Sequence, residues 1–157
     1  MSLIAPHGGE LRNLVADIET ASILKQEAKT LPSWALNDRQ ICDLEMILNG
    51  GFSPLNGFLN KADYDTVLEN MRLQDGSIWP IPITLDVTAE FADKFNTSDE
   101  IALKDKEGFT IAVLSVESIW TPDKMAEAEK VKEEEARGQR LIDQQRERAE
   151  QLEAARL

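Results

Sequence analysis

Cysteine and histidine are almost absent from this 157-residue chain, which has one of each. A lone Cys42 excludes an internal disulfide and a cysteine-cluster zinc site. It lies on an apolar helical stretch beside Ile41 and reads as a buried thiol acting as a small hydrophobe. Asp43 and Glu45 supply the wrong sign of charge to activate a thiolate, so Cys42 is not expected to be a nucleophile. The lone His7, in Ala5-Pro6-His7-Gly8-Gly9, has no second ligand nearby for a metal and no nucleophile to serve as a base. A structural or solvated role is expected for it. The alternative is that the glycine pair lets this segment fold over a neighbouring domain.

Positive charge is also scarce. The chain has 17 Lys and Arg against 29 Asp and Glu, a formal net charge of −12. Between Asp123 and Leu157 there are 10 acidic and 8 basic residues, a net −2 that leaves −10 on Met1–Pro122. A field of that sign repels phosphate backbones, so no nucleic-acid partner is expected. Clustered Arg and Lys suited to holding an anionic ligand are missing as well. No Walker-type or dinucleotide glycine fingerprint occurs. Gly50-Gly51 follows a helical stretch, whereas anion sites use the start of the helix that comes next. Asp63, Asp65 and Glu69 share one helical face without metal-ligand company and read as solvated surface. No catalytic residue, metal ligand or cofactor site is therefore expected. A long apolar run and a basic leader are both lacking, which predicts no membrane partner, no signal peptide and a cytoplasmic location.

What is present reads as one domain followed by a charged tail. From Leu11 to Thr30 the apolar spacing predicts two short helices or one interrupted helix packed on the core, ending before Leu31-Pro32. Ser33–Leu36 reads as a short strand, and Asn37 with Gln40 as a loose capping box opening the next helix. That helix, carrying Ile41, Leu44, Ile47 and Leu48, stops at Asn49-Gly50-Gly51. The corner then delivers Phe52, Leu55, Phe58 and Leu59 toward a core. Lys61–Met71 is helical in period, and Trp79–Val87 alternates as a strand held to an edge by Pro80 and Pro82. Ala89–Phe95 is a helical turn. Glu100–Lys104 and Phe109–Val116 form a hairpin across Asp105–Gly108, with Glu117–Trp120 available for a further pairing. Helices first and strands afterwards predict an α+β fold with a small closed or partly closed sheet.

Four segments in this order carry a family resemblance: Ala5–Gly9 (APHGG), Arg39–Leu59 (RQICDLEMILNGGFSPLNGFL), Met71–Val87 (MRLQDGSIWPIPITLDV) and Pro122–Val131 (PDKMAEAEKV). Over roughly residues 6–131 the chain resembles sulfate adenylyltransferase, or ATP sulfurylase, in its single-chain fungal-like form. The resemblance implies the amino-terminal domain of that enzyme, a PUA-like mixed β-barrel with N-terminal helices that stands beside a catalytic domain. The parent reaction makes adenylyl sulfate and pyrophosphate from ATP and sulfate. The family holds the ATP phosphates with a glutamine-x-arginine-asparagine-proline segment and a histidine-x-x-histidine pair, and neither occurs here. The resemblance thus implies a partner catalytic domain and an inactive chain on its own.

The tail differs in kind. Residues 123–157 consist mainly of strong helix formers, broken only by Gly138, and predict one long projecting helix of about 50 Å. Residues 132–157 depart from the family, which reads as a truncated domain with a fused or designed helix; an altered reading frame and a divergent natural form are the alternatives. A heptad count puts polar residues or glycine at half the seam. Leu141, Ile142, Ala149, Leu152 and Leu157 still form a narrow apolar stripe, expected to support weak homo-oligomerisation or docking on a fusion partner.

Overall fold

The computed structural model describes residues 4–123, 136–146 and 148. The chain divides into two units, Met1–Trp120 and Thr121–Leu157. The first contains α1 (Ile18–Glu27), β1 (Ser33–Ala35), α2 (Asp38–Leu48), α3 (Lys61–Asn70), α4 (Ala89–Ala92), β2 (Glu100–Lys104) and β3 (Thr110–Ser115). The fold is mixed α and β, as the order of elements predicts. β1 pairs parallel to β2, and β2 antiparallel to β3, in the order β1-β2-β3.

Local sequence accounts for the elements that position everything else. The Asn37 side chain accepts from the Gln40 backbone N–H at 2.9 Å, and the Gln40 side chain accepts from the Asn37 N–H at 3.1 Å. This capping box satisfies orphan donors and starts α2. Gln40, Leu44 and Ile47 form the buried face of α2 at spacings of four and three. Cys42 is two residues from Gln40, about 200° around the helix, and is exposed. The expectation of a buried thiol is therefore corrected: the capping glutamine, not the cysteine, takes the inward position. Gln40 is 1% exposed, and its amide donates to the Asp86 carbonyl at 2.6 Å, so its burial leaves that donor paired.

The hairpin forms where expected. The Asp105 side chain accepts from the Phe109 N–H at 2.7 Å, and the Gly108 N–H donates to the Asp105 carbonyl at 3.2 Å with Gly108 at φ +92°. A register shift lies between Leu103 and Lys104. Two apolar clusters result, one around Ile47, Leu55, Leu59, Tyr64, Val67, Leu73 and Ile83, the other around Leu36, Leu44, Ile101 and Leu103. Phe58 packs against both and joins them.

Three further expectations change. The strand expected at Trp79–Val87 is absent, and only an isolated bridge joins Arg72 and Ile78. Pro80 and Pro82 have no N–H to give a ladder, so Ile83 is held instead by its carbonyl, which accepts from Leu59 N–H at 2.8 Å. Ile83 is buried while Ile81 is exposed, so the single apolar face of that segment does not form. The closed or partly closed barrel is corrected in consequence: the described strands make an open three-stranded sheet. Glu117–Trp120 joins no ladder among the described residues, and the Ser118 hydroxyl accepts from Lys61 N–H at 2.9 Å. Finally, Leu11–Asp17 is not helical. Asn13 takes the Val15 N–H with its side chain at 3.1 Å, and Leu14 N–H goes to the Leu48 carbonyl at 2.8 Å, both competing with helical bonds.

In the second unit, residues 136–146 and 148 are helical. The remainder of the long helix expected over 123–157 falls mostly outside the described residues, apart from a non-helical Asp123.

Leu103 is completely buried and Cys42 is exposed, which separates two substitutions. Leu103→Ala should lower unfolding free energy by about 2–5 kcal/mol in urea titrations. Cys42→Ser should change it by no more than about 0.5 kcal/mol.

Candidate functional site

The most densely fastened region is the corner after α2 and the extended strap of residues 4–17 that lies over it. The strap begins in a turn, Gly9 N–H to the Pro6 carbonyl at 2.9 Å. His7 Nε2 lies 2.7 Å from the Ile78 carbonyl, and because a carbonyl only accepts, Nε2 is the donor. The His7 ring stacks on Trp79 with centroids 6.3 Å apart, and Trp79 meets Phe52 edge-on at 5.6 Å. Arg12 N–H donates to the Ser53 hydroxyl at 2.9 Å, and that hydroxyl donates to the Gly50 carbonyl at 2.7 Å. Gly50 has φ +83°, and a β-carbon there would lie 2.8 Å from Leu11 Cδ1 and 3.1 Å from the Arg12 carbonyl oxygen. Only glycine suits both the conformation and the approach.

This geometry makes His7 a fastening residue, bonded to a backbone carbonyl and stacked on Trp79. Three of the carboxylates named above are likewise occupied locally. Asp63 accepts from Gln74 N–H at 2.8 Å, Asp65 pairs with Lys61 at 2.6 Å, and Asp43 pairs with Arg39 at 3.5 Å. Among the described residues no group of three or more His, Cys, Asp or Glu is arranged to hold a metal. Sequence reading missed the clamp at Asp86, where Arg39 pairs with the carboxylate at 2.7 Å while Gln40 bonds the carbonyl. Its only sequence signal was the capping box, which fixes Gln40 without revealing its distant partner.

A shallow groove of about 70 Å³ lies between α1 and β3, with Ala16, Leu24, Ile111 and Val113 in its lining. Small-molecule sites are usually several hundred Å³, so this groove is too small for a nucleotide. In the tail, Leu141 and Ile142 are both exposed, Ile142 at 59%. Ala149, Leu152 and Leu157, the rest of the expected stripe, lie outside the described residues.

Two carboxylates are tuned by local hydrogen bonds. The Thr20 backbone N–H, helped by its hydroxyl, holds Asp17 below the ordinary aspartate range at the N-cap of α1. The Ser77 N–H, then its hydroxyl, does the same for Asp75, with a smaller contribution from the charge of His7.

With the geometry in place, the family can be read. The PUA-like domain family model matches residues 4–149, and the chain belongs to that family. Its relatives are sulfate adenylyltransferases: 52% identical over 130 residues to that of Eremothecium gossypii, 51% over 141 to that of Candida albicans, and 48% over 130 to that of Saccharomyces cerevisiae. These alignments take in 82%, 83% and 81% of this chain but 26%, 27% and 25% of the relatives. The chain thus spans about a quarter of their length and corresponds to their amino-terminal segment. A solved structure described as a hexameric APS kinase from Thiobacillus denitrificans is similar at a TM-score of 0.70 and 41% identity, over 78% of this chain and 24% of that one.

The acid limb of stability tests the two tuned carboxylates. Because their folded pKa values are lowered, their stabilisation is fully present above the unfolded value, about 3.9, and is lost as pH falls through the lowered values. Melting temperature followed from pH 7 to pH 2 should therefore fall less steeply for the double variant Asp17→Asn, Asp75→Asn than for the unsubstituted chain.

Proposed function

We propose that this chain is the amino-terminal structural and assembly domain of a sulfate adenylyltransferase, without catalysis of its own. The observation that carries the reading is about 50% identity across four-fifths of the chain to a quarter of those enzymes. Chemistry agrees with it: one histidine, a net charge of −12 and no basic cluster leave nothing to bind the phosphates of ATP or to hold sulfate. Its partner on this reading is the catalytic part of the parent enzyme, and its location is the cytoplasm. The acidic surface disfavours RNA as an alternative ligand.

The purified chain, mixed with ATP, magnesium and sulfate, should release no pyrophosphate above background. Turnover that disappears when sulfate is omitted overturns the reading.

The exposed pair Leu141 and Ile142 favours a second property, association through the tail. In the sequence Ala149, Leu152 and Leu157, outside the described residues, continue the expected stripe, and a large apolar side chain gains roughly 1.5–3 kcal/mol on full burial. The chain should show weak, concentration-dependent self-association in sedimentation experiments. Replacing Ile142 and Leu152 together by Lys should abolish the larger species and leave the melting transition of the folded domain nearly unchanged. A wild-type chain that stays monomeric at high concentration rejects the association.

A further inference from the structure

We infer that the outward face of α1 and of the strap leading into it, continued by the tip of the β2–β3 hairpin, is the surface on which the remainder of a longer sulfate adenylyltransferase chain packs. The inference rests on the reading of this chain as one segment of such an enzyme and names the face that segment presents.

The first observation is a helix without support of its own. α1 has ten residues and buries none of them. Helices of that length are marginal in water and draw most of their stability from packing an apolar face. Here Ile18 is 93% exposed, and Val15 and Ile23 are more than half exposed. Among the helices and strands of its own domain, α1 packs only on β3. Its inner side is occupied by the shallow groove rather than by interlocking side chains.

The second observation is the way the strap is fastened. Apart from the His7 ring and the Leu11 side chain, its inward contacts are made by backbone and glycine: Arg12 and Leu14 give their N–H groups to Ser53 and Leu48, and Gly8 lies where a β-carbon would meet Pro54 at 2.7 Å. Val15 is left exposed, while Leu11, though more than half exposed, keeps the end of its side chain against Gly50. The hairpin extends this face, because Ala16 and Ile111 line the same groove, Ile111 is exposed, and Phe109 beside it is 71% exposed. Exposed apolar side chains gathered on neighbouring segments are the material of an interaction site.

The third observation selects the occupant. Exposed Glu10, Asp17, Glu19 and Glu27 outnumber Arg12 and Lys25 along this stretch. A second copy would bring two acidic rims together, whereas an apolar patch rimmed by Lys and Arg complements them. The relatives carry about three-quarters of their length beyond the matched segment, and that remainder is the partner required to present such a patch.

Hydrogen exchange decides the matter. The 130-residue matched segment of the S. cerevisiae enzyme is exchanged for that of this chain, and amide exchange across Ile18–Glu27 is compared between the chimera and the isolated chain. Exchange should be at least tenfold slower in the chimera, with β2 changing little. Val15→Asp with Ile18→Asp should return α1 in the chimera to the isolated rate while leaving the melting of the isolated chain unaltered. Equal α1 exchange in an active chimera rejects this surface and leaves the domain reading intact. A folded but inactive chimera in which no segment slows rejects the domain reading itself, and this inference with it. If the chimera does not fold, the aligned segment of the unmodified S. cerevisiae enzyme replaces it, and rapid exchange there rejects the surface.

Discussion

A hydrogen atom in place of a methyl group at Gly50 lets two stretches of chain nearly forty residues apart lie against each other. The strap passes over the corner so closely that any β-carbon at that position would press on Leu11 and on the Arg12 carbonyl. From this contact the rest follows in both directions. On one side Ser53 is held between the Arg12 N–H and the Gly50 carbonyl, which sets the turn that sends Leu55 and Leu59 into the core. On the other, the strap is pinned as far as Leu14, so α1 begins where Asp17 caps it and stands beside β3.

Much of this was legible in the sequence because local chemistry decided it. The capping box at Asn37, the stop after Leu48 and the hairpin closing on Gly108 depend on neighbours within about four residues, and all three formed. Errors arose where a distant partner or a missing donor decided instead. Period-two alternation in Trp79–Val87 was a correct statement about polarity, but Pro80 and Pro82 removed the N–H groups a strand there must give. Cys42 was placed inward by composition, although the helical face was fixed by Gln40, whose partner Asp86 lies 46 residues away. The candidate surface was legible only as apolar spacing in residues 11–24, which reads equally well as a packed helix. Its exposure is a tertiary fact.

The core makes a related compromise. Among the described residues, the indole N–H groups of Trp34, Trp79 and Trp120 and the hydroxyl of Tyr64 are buried without a protein partner. Each such group costs about 1–3 kcal/mol in desolvation. An aromatic ring that buries roughly 150–250 Å² returns about 4–6 kcal/mol at 25 cal/mol per Å². Ring area therefore outweighs the orphaned donor, and the rings are used in pairs: Trp34 with Phe91 at 4.8 Å and Tyr64 with Trp120 at 5.2 Å. The interior is specified more by aromatic contact than by polar matching.

That balance bears on function. The polar side chains that do find partners are spent on caps, clamps and fastenings, and Asp63, Asp65 and Asp86 are tied to neighbouring N–H groups or cations. The domain's excess negative charge opposes anionic ligands. The unspent resource of the fold is apolar surface, and in the first unit much of it lies on the strap, on α1 and at the hairpin tip, with the rest at Met46, Met71, Ile78, Ile81 and Ile119. Convex apolar surface cannot enclose a small molecule, but it can be enclosed by another folded surface. A surface of this kind, exposed and apolar, is the type that packing against a second folded surface would bury.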